Sequence, residues 1–169
     1  MSASSGAPAY GESPFPTDAV REGDHLGEIA GIDKLVVHHA ELVTAHIAAL
    51  DGFGLRPLVE FPVDGALDPA SIPARTTSTE LASLVDVDPA SPERGRVFAM
   101  DWRYDAERSV LAGSTASGVV LREGTRYATF VTTAIRDAGG SSLRSIGGIP
   151  SGERWDSTRE ALAEVERSG

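Results

Sequence analysis

Short runs of apolar residues at every second position, separated by turn-forming residues, occupy most of the chain after residue 57. The most regular run is 97–104, where Phe98, Met100, Trp102 and Tyr104 share one face at the period of a β-strand. Glycine, proline and aspartate separate such runs, which favours an antiparallel sandwich or barrel over alternating strands and helices. The other predicted strands are 58–63, 81–87, 110–112, 119–120 and 125–135.

A helical period replaces this pattern before residue 52. Leu42, Val43 and Ile47 belong to a set of apolar positions spaced by three and four residues, which predicts an amphipathic helix. Asp33 is a plausible N-cap and Gly52 a stop signal.

Four segments follow from these patterns. We predict an extended leader at 1–32, a flanking helix at 33–52, a β-sandwich at 57–145 and a C-terminal extension at 146–169. A short helix is expected at 156–165 within the extension. The predicted fold class is therefore mainly β, an antiparallel sandwich with an N-terminal flanking helix and a short C-terminal helix.

Charge and composition exclude several classes of partner. The chain has 169 residues with 25 acidic and 15 basic side chains, a net charge of −10. Such a chain repels nucleic acid and anionic membrane surfaces, and no apolar run is long enough to span a membrane. The sequence has no cysteine, which excludes disulfides and thiolate chemistry. Residues 1–16 lack the features of a secretion signal, so we expect either a cytoplasmic protein or an export signal upstream.

Three segments resemble the bacterial immunoglobulin-like domains of the SbsA type. The segment 61–72 (FPVDGALDPASI) is similar to their opening strand and "LDPASL" turn. The segment 121–127 (LREGTRY) is similar to the "L-x-x-G-T-x-Y" entry into a late strand, and 128–140 to its "R-D-A-x-G" exit. The resemblance implies an immunoglobulin-like sandwich whose marked residues shape turns and core: Asp64, Asp68, Pro69, Gly124, Tyr127, Asp137 and Gly140. Tyr127 is expected to bury its ring and bind a nearby backbone group through its hydroxyl, as in a tyrosine corner.

The segments 14–18 and 50–53 are similar to the lead-in of N-terminal domains in bacterial virulence-factor-type lipases and related exported esterases. In those proteins an immunoglobulin-like domain precedes an α/β-hydrolase domain. The resemblance implies a non-catalytic accessory domain, extracellular or in the cell envelope, whose partner is a downstream catalytic domain not present in this chain.

A small serine hydrolase is the first alternative. Such an enzyme of the α/β type needs Gly-x-Ser-x-Gly around its nucleophile. The nearest segments, 113–118 and 140–142, have other spacings and are typical of loops. This alternative would combine Ser114 or Ser117 with His39 or His46. We expect no catalytic residues in this chain.

A free-standing adhesion or glycan-binding protein is the second alternative. Trp102 and Tyr104 would form a platform for sugar or peptide if their face were exposed, although a sandwich core needs the same stripe.

We expect no cofactor. Calcium is a minor alternative, since loop carboxylates are its usual ligands, but no calcium-loop spacing occurs among the candidates Asp64, Asp68, Asp86, Asp88, Asp101 and Asp105. The histidines lack the spacing of a zinc pair.

Overall fold

The computed structural model describes residues 10–27, 29–31 and 40–144, together with residues 156, 159, 160, 163 and 165. The described part contains three antiparallel sheets and one continuous α-helix. The elements are β1 (Arg21–Glu22), β2 (His25–Leu26), α1 (Ala40–Ala48), β3 (Leu58–Pro62), β4 (Arg75–Thr76), β5 (Ala82–Asp86), β6 (Val97–Phe98), β7 (Met100–Asp105), β8 (Val110–Thr115) and β9 (Tyr127–Val131). Within the described ranges, 3₁₀ helices lie at Asp18–Val20 and Pro69–Ser71.

Two of the sheets enclose the main hydrophobic core. One has four strands in the order β3-β8-β7-β4, and the other has three in the order β6-β5-β9. Side chains from both sheets meet in one cluster of buried residues, as expected where two sheets pack face to face. This arrangement confirms the predicted mainly β sandwich. The cluster consists of Val59, Leu67, Ala82, Leu84, Phe98, Met100, Trp102, Leu111, Leu121 and Ile135.

The predicted strand 97–104 is divided between the two sheets. β6 pairs with β5 in the three-stranded sheet, whereas β7 pairs with β8 and β4 in the four-stranded sheet. The change occurs at Ala99, and the inward stripe continues across it because Phe98, Met100 and Trp102 are all buried. One extended segment therefore belongs to both layers.

The segment predicted as an extended leader differs from that expectation. In its described part it forms a 3₁₀ helix and the β1–β2 hairpin. It also supplies a second core of Val20, Leu26 and Ile29, against which Tyr10 and Phe15 pack. The sequence alone does not indicate this second core, because the apolar residues that form it are few and follow no regular period.

The flanking helix is shorter in the described residues than predicted. α1 spans Ala40–Ala48, while Asp33 and the rest of 32–39 lie outside the described residues. Ile47 packs against the second core, but Leu42 is 70% exposed. The predicted apolar face is therefore only partly buried.

Two further predictions have different outcomes. The expected short strand at 119–120 is a loop, in which the amide of Val119 donates to the carbonyl oxygen of Ala116 and Val120 is 58% exposed. At the C-terminal end, the described positions 156, 159, 160, 163 and 165 are helical, as predicted.

Candidate functional site

A buried carboxylate on the outer face of the four-stranded sheet is the centre of a polar cluster that joins three segments of the described chain. Glu60 lies on β3 between Val59 and Phe61, which face the core, so its side chain points away from the core. Its side chain is only 7% exposed. Arg108, in the turn between β7 and β8, donates to both carboxylate oxygens at 2.8 and 3.1 Å. Such a two-point ion pair fixes both side chains in direction as well as distance.

Tyr10 completes this cluster from the N-terminal segment. Its hydroxyl donates to Glu60 Oε2 and accepts from Arg108 Nη2 at 2.8 Å. The backbones of Phe15 and Glu60 also exchange two hydrogen bonds, at 2.7 and 2.9 Å. Phe15 packs edge to face with both Tyr10 and Phe53. The cluster therefore attaches the N-terminal segment to the outer strand of the sandwich.

The ionisation of Glu60 reflects two opposing effects. Burial alone would raise the pKa of the carboxyl. Hydrogen bonds from Arg108 and Tyr10, with the positive charges of Arg108 and Arg103, outweigh it and hold the pKa of Glu60 below its usual range. Burial and the neighbouring carboxylate raise the pKa of Tyr10 despite the opposing effect of Arg108. The cluster is thus stable as a carboxylate, a guanidinium and a neutral phenol, a set without a nucleophile or a group poised to release a proton near neutral pH.

A second buried carboxylate organises a loop. Asp86, at the end of β5, is completely buried. Its oxygens accept the amide of Asp88 at 3.0 Å and the hydroxyl of Ser91. Asp88 in turn accepts the amides of Ala90 and Arg126, and these two bonds lower the pKa of Asp88. The carboxylates of Asp86 and Asp88 therefore stabilise the loop between β5 and β6.

The residues marked by the family resemblance lie in turns. Asp68 accepts the amide of Ala70 at 2.9 Å, with Pro69 as the first residue of the 3₁₀ helix. Asp137 accepts the amides of Gly139 and Ser141 at 2.9 and 2.8 Å. Asp64 is exposed and precedes Gly65, a turn residue at φ +89°. Gly124 and Gly140 have φ of +59° and +81°, in the left-handed region that favours glycine.

Tyr127 connects a loop to the core. Its ring packs edge to face against Phe98, with the ring centres 5.6 Å apart. Its hydroxyl accepts the amide of Arg122 at 2.9 Å, five residues earlier in the chain. The side chain therefore fixes the turn that leads into β9.

The exposed aromatic platform considered as an alternative does not fit Trp102. This side chain is 6% exposed within the main core, and its indole N–H donates to Thr76 Oγ1 at 2.9 Å. Tyr104 is half-buried and donates to the carbonyl oxygen of Gly65 at 3.2 Å. The alternating stripe is a core stripe because both sheets need apolar side chains between them.

The serines considered as nucleophiles occupy different settings. Ser114 lies within β8, paired with Leu58 and Asp101, and Ser117 is exposed in the following turn. The segment 113–118 is therefore half strand rather than an ordinary loop. His39 lies outside the described residues, and His46 is exposed on α1. Among the described residues, no hydrogen bond joins a histidine to either serine.

The described part of the chain contains neither a metal-binding group of side chains nor a membrane-spanning helix. Its histidine, aspartate and glutamate side chains form no group of three that could hold a metal ion. None of its helices is long and apolar enough to cross a membrane. One cavity of about 280 Å³ has only hydroxyl, apolar and glycine lining, contributed by Ser78, Thr79, Val85, Gly95, Val97 and Val165.

Sequence reasoning missed the Tyr10–Glu60–Arg108 cluster. Glu60 lies in a predicted strand. A glutamate among apolar residues is the one local signal there of a buried ion pair. Its partners are 50 and 48 residues away, and no local pattern relates them.

Comparisons with models of protein families, with curated proteins and with solved structures find no match to this chain.

Proposed function

We propose that this chain is a non-catalytic immunoglobulin-type accessory domain that spaces or docks the catalytic domain of a larger exported hydrolase. The proposal has two parts, a fold type and a role. Each depends on different observations.

The order of strands supports the fold type. Immunoglobulin constant domains pair strands A-B-E-D in one sheet and C-F-G in the other. If the Phe15 bridge is strand A, then Phe15, β3, β8 and β7 follow the order A-B-E-D, because Phe15 pairs with Glu60 of β3. β5 and β9 then correspond to the adjacent strands C and F. This order is the single observation that carries the proposal.

Tyr127 gives independent support. In immunoglobulin domains a tyrosine near the start of strand F bonds through its hydroxyl to a backbone group a few residues upstream. Tyr127 is the first residue of β9, the strand equated with F, and its hydroxyl accepts the amide of Arg122. The position and the bond agree with the same assignment.

The use of the polar side chains supports a non-catalytic role. Glu60, Asp86 and Asp137 bind arginine, serine or backbone groups that hold segments of the fold together. Catalytic acids and bases instead keep a proton-transfer site open towards substrate. The hydrolase partner and the extracellular or cell-envelope location come from the sequence resemblance, and they are part of the proposal on that basis.

The test compares the chain alone with the complete protein encoded by its reading frame. We expect the purified chain to unfold cooperatively and to leave p-nitrophenyl esters unhydrolysed. The complete protein should hydrolyse them through a serine downstream of residue 169, mapped by fluorophosphonate labelling. Ester turnover by the chain alone that is abolished in Ser114→Ala or Ser117→Ala would overturn the non-catalytic role. A reading frame with no hydrolase domain would overturn the hydrolase context.

A further inference from the structure

The outer face of the three-stranded sheet is apolar, although it points away from the main core. Leu84 and Phe98, which pair between β5 and β6, belong to that core. Successive residues of a strand point to opposite faces, so their neighbours Val85 and Val97 lie on the outer face. Ala128 of β9 lies opposite Val85 on the same face. This face therefore carries apolar side chains where the solvated side of an antiparallel sheet is normally polar.

The apolar outer face is covered rather than open to solvent. Val85 is only 3% exposed, and Val97 and Ala128 are half-buried. At one end of the face Ser83 is completely buried, and its hydroxyl donates to the carbonyl oxygen of Ser78 in the loop before β5. That loop accounts for the cover at the Ser83 end. The cover at the Val85 end includes a second segment.

Two contacts place the C-terminal segment 156–165 over the Val85 end of this face. Val165 lines the same cavity of about 280 Å³ as Val85 and Val97. The carboxylate of Glu160 lies 3.8 Å from the guanidinium of Arg126, the residue before β9. Both Glu160 and Val165 are helical positions. The segment therefore extends over the outer face from the β9 side towards β6.

We propose that segment 156–165 is a releasable cover, which docks on the outer face of the three-stranded sheet of its own chain and is helical only while docked. The segment has ten residues, and isolated helices shorter than about 12–15 residues are marginal in water. Its helical state therefore depends on burying Val165 against the sheet. The Arg126–Glu160 pair is exposed on both sides, so it orients the segment more than it holds it. Release melts the helix and opens the apolar face in one step.

Alkylation of a single cysteine tests the cover in the full chain, which has no native cysteine. Val85→Cys places a thiol beneath the cover. Val59→Cys is the matched control in the main core, because Val59 and Val85 are 4% and 3% exposed. We expect Val85→Cys to react with iodoacetamide at least about tenfold faster than Val59→Cys, because local opening costs less free energy than opening of the core.

A substitution on the cover separates its release from unfolding of the sandwich. Val165→Asp places an unpaired charge against the apolar face, which is costly, and should speed the alkylation of Val85→Cys at least about tenfold further. The rate of Val59→Cys should stay the same. Ala163→Asp is the matched control, because Ala163 is exposed on the same segment, and should change both rates by no more than about twofold.

The ion pair gives an independent test of where the segment docks. Arg126→Glu brings two like charges together and should speed the alkylation of Val85→Cys about two- to fivefold, the range of exposed pairs. Adding Glu160→Arg should restore the original rate. All rates should be independent of protein concentration, because the cover belongs to the same chain.

Four results would overturn the proposal. One is a Val85→Cys rate no faster than that of Val59→Cys, which would mean that the cover is not released. Another is equal acceleration of both cysteines by Val165→Asp, or acceleration of neither. The third is a failure of Glu160→Arg to restore the rate in Arg126→Glu. The fourth is protection that rises with protein concentration, which would indicate a cover supplied by a second copy.

Discussion

The indole ring of Trp102 lies against Gly113, its direct neighbour on the adjacent strand. A Cβ atom on Gly113 would be 2.6 Å from the ring, closer than real side chains approach. The ring is held in place by its hydrogen bond to Thr76 and by the surrounding core. The contact therefore leaves no room for a larger residue at position 113.

Gly113→Ala is expected to destabilise the protein. Overpacking of a rigid core costs about 1–3 kcal/mol, and we expect a lowered urea midpoint with little change in slope. Gly54→Ala is the matched control, because nothing lies within 4 Å of a Cβ there and its φ is not positive. Equal stability of the two variants would contradict the close contact.

Glu60→Gln is expected to lower the free energy of unfolding at neutral pH. It should also reduce the fall of that free energy as the pH is lowered. The pKa of Glu60 is lowered in the folded protein, so its contribution is present above the unfolded value of about 4.3. It is lost as pH falls through the lower folded value. At neutral pH we expect a loss of about 2 kcal/mol, typical of hydrogen bonds to charged groups. Free energies of unfolding measured from neutral to acidic pH should converge for the variant and the parent.

Asp101→Asn serves as the control for that experiment. Asp101 also has a lowered pKa because of Arg75, which donates to it at 2.6 Å. However, both side chains are exposed, and solvent weakens exposed ion pairs. A larger loss from Asp101→Asn than from Glu60→Gln would contradict the importance assigned to burial.

Tyr127→Phe should destabilise the turn before β9 while keeping the ring. The variant loses the acceptor for the amide of Arg122 but retains the contact with Phe98. We expect a loss of about 1 kcal/mol, the usual net value of one hydrogen bond, seen as a lower thermal midpoint. Tyr104→Phe removes a longer bond, to Gly65 at 3.2 Å, and should have a smaller effect.

Asp86→Ala is expected to loosen the loop between β5 and β6. The substitution removes the acceptor for the amide of Asp88 and the hydroxyl of Ser91. Hydrogen exchange should therefore quicken first at Asp88 and in the segment 88–95, before the core strands respond. Uniform acceleration across all strands would instead indicate that Asp86 stabilises the whole domain.

Local patterns were sufficient for the long strands of this protein. The segments around β3, β5, β7 and β9 carry alternating or continuous apolar residues between clear turn signals. The division of 97–104 at Ala99 could not be predicted, because each residue on either side keeps the same inward alternation. Only the pairing partners distinguish β6 from β7, and those are set by tertiary structure.

Some of the polar sites were harder to predict, because their hydrogen-bond partners are also set by tertiary structure. Asp68 and Asp137 bind amides two to four residues away, so turn chemistry suggests their roles. Arg108 and Tyr10 reach Glu60 across 48 and 50 residues. Gly113 did carry a local signal, since a glycine inside a strand often marks a close approach of another group, but the segment looked like a loop.

The passage of one strand through both layers at Ala99 has a mechanical consequence. Along that side the two sheets form a single folded ribbon, so sliding one layer over the other would require breaking the ladders of β6 or β7. On the opposite side β3 and β9 belong to different sheets, but the segments that flank them are bonded to each other, through the amides of Ala138 and Leu121 to the carbonyl oxygens of Ala66 and Leu55. The two layers are therefore connected by backbone hydrogen bonds on one side and by a continuous strand on the other, which resists sliding of one sheet over the other.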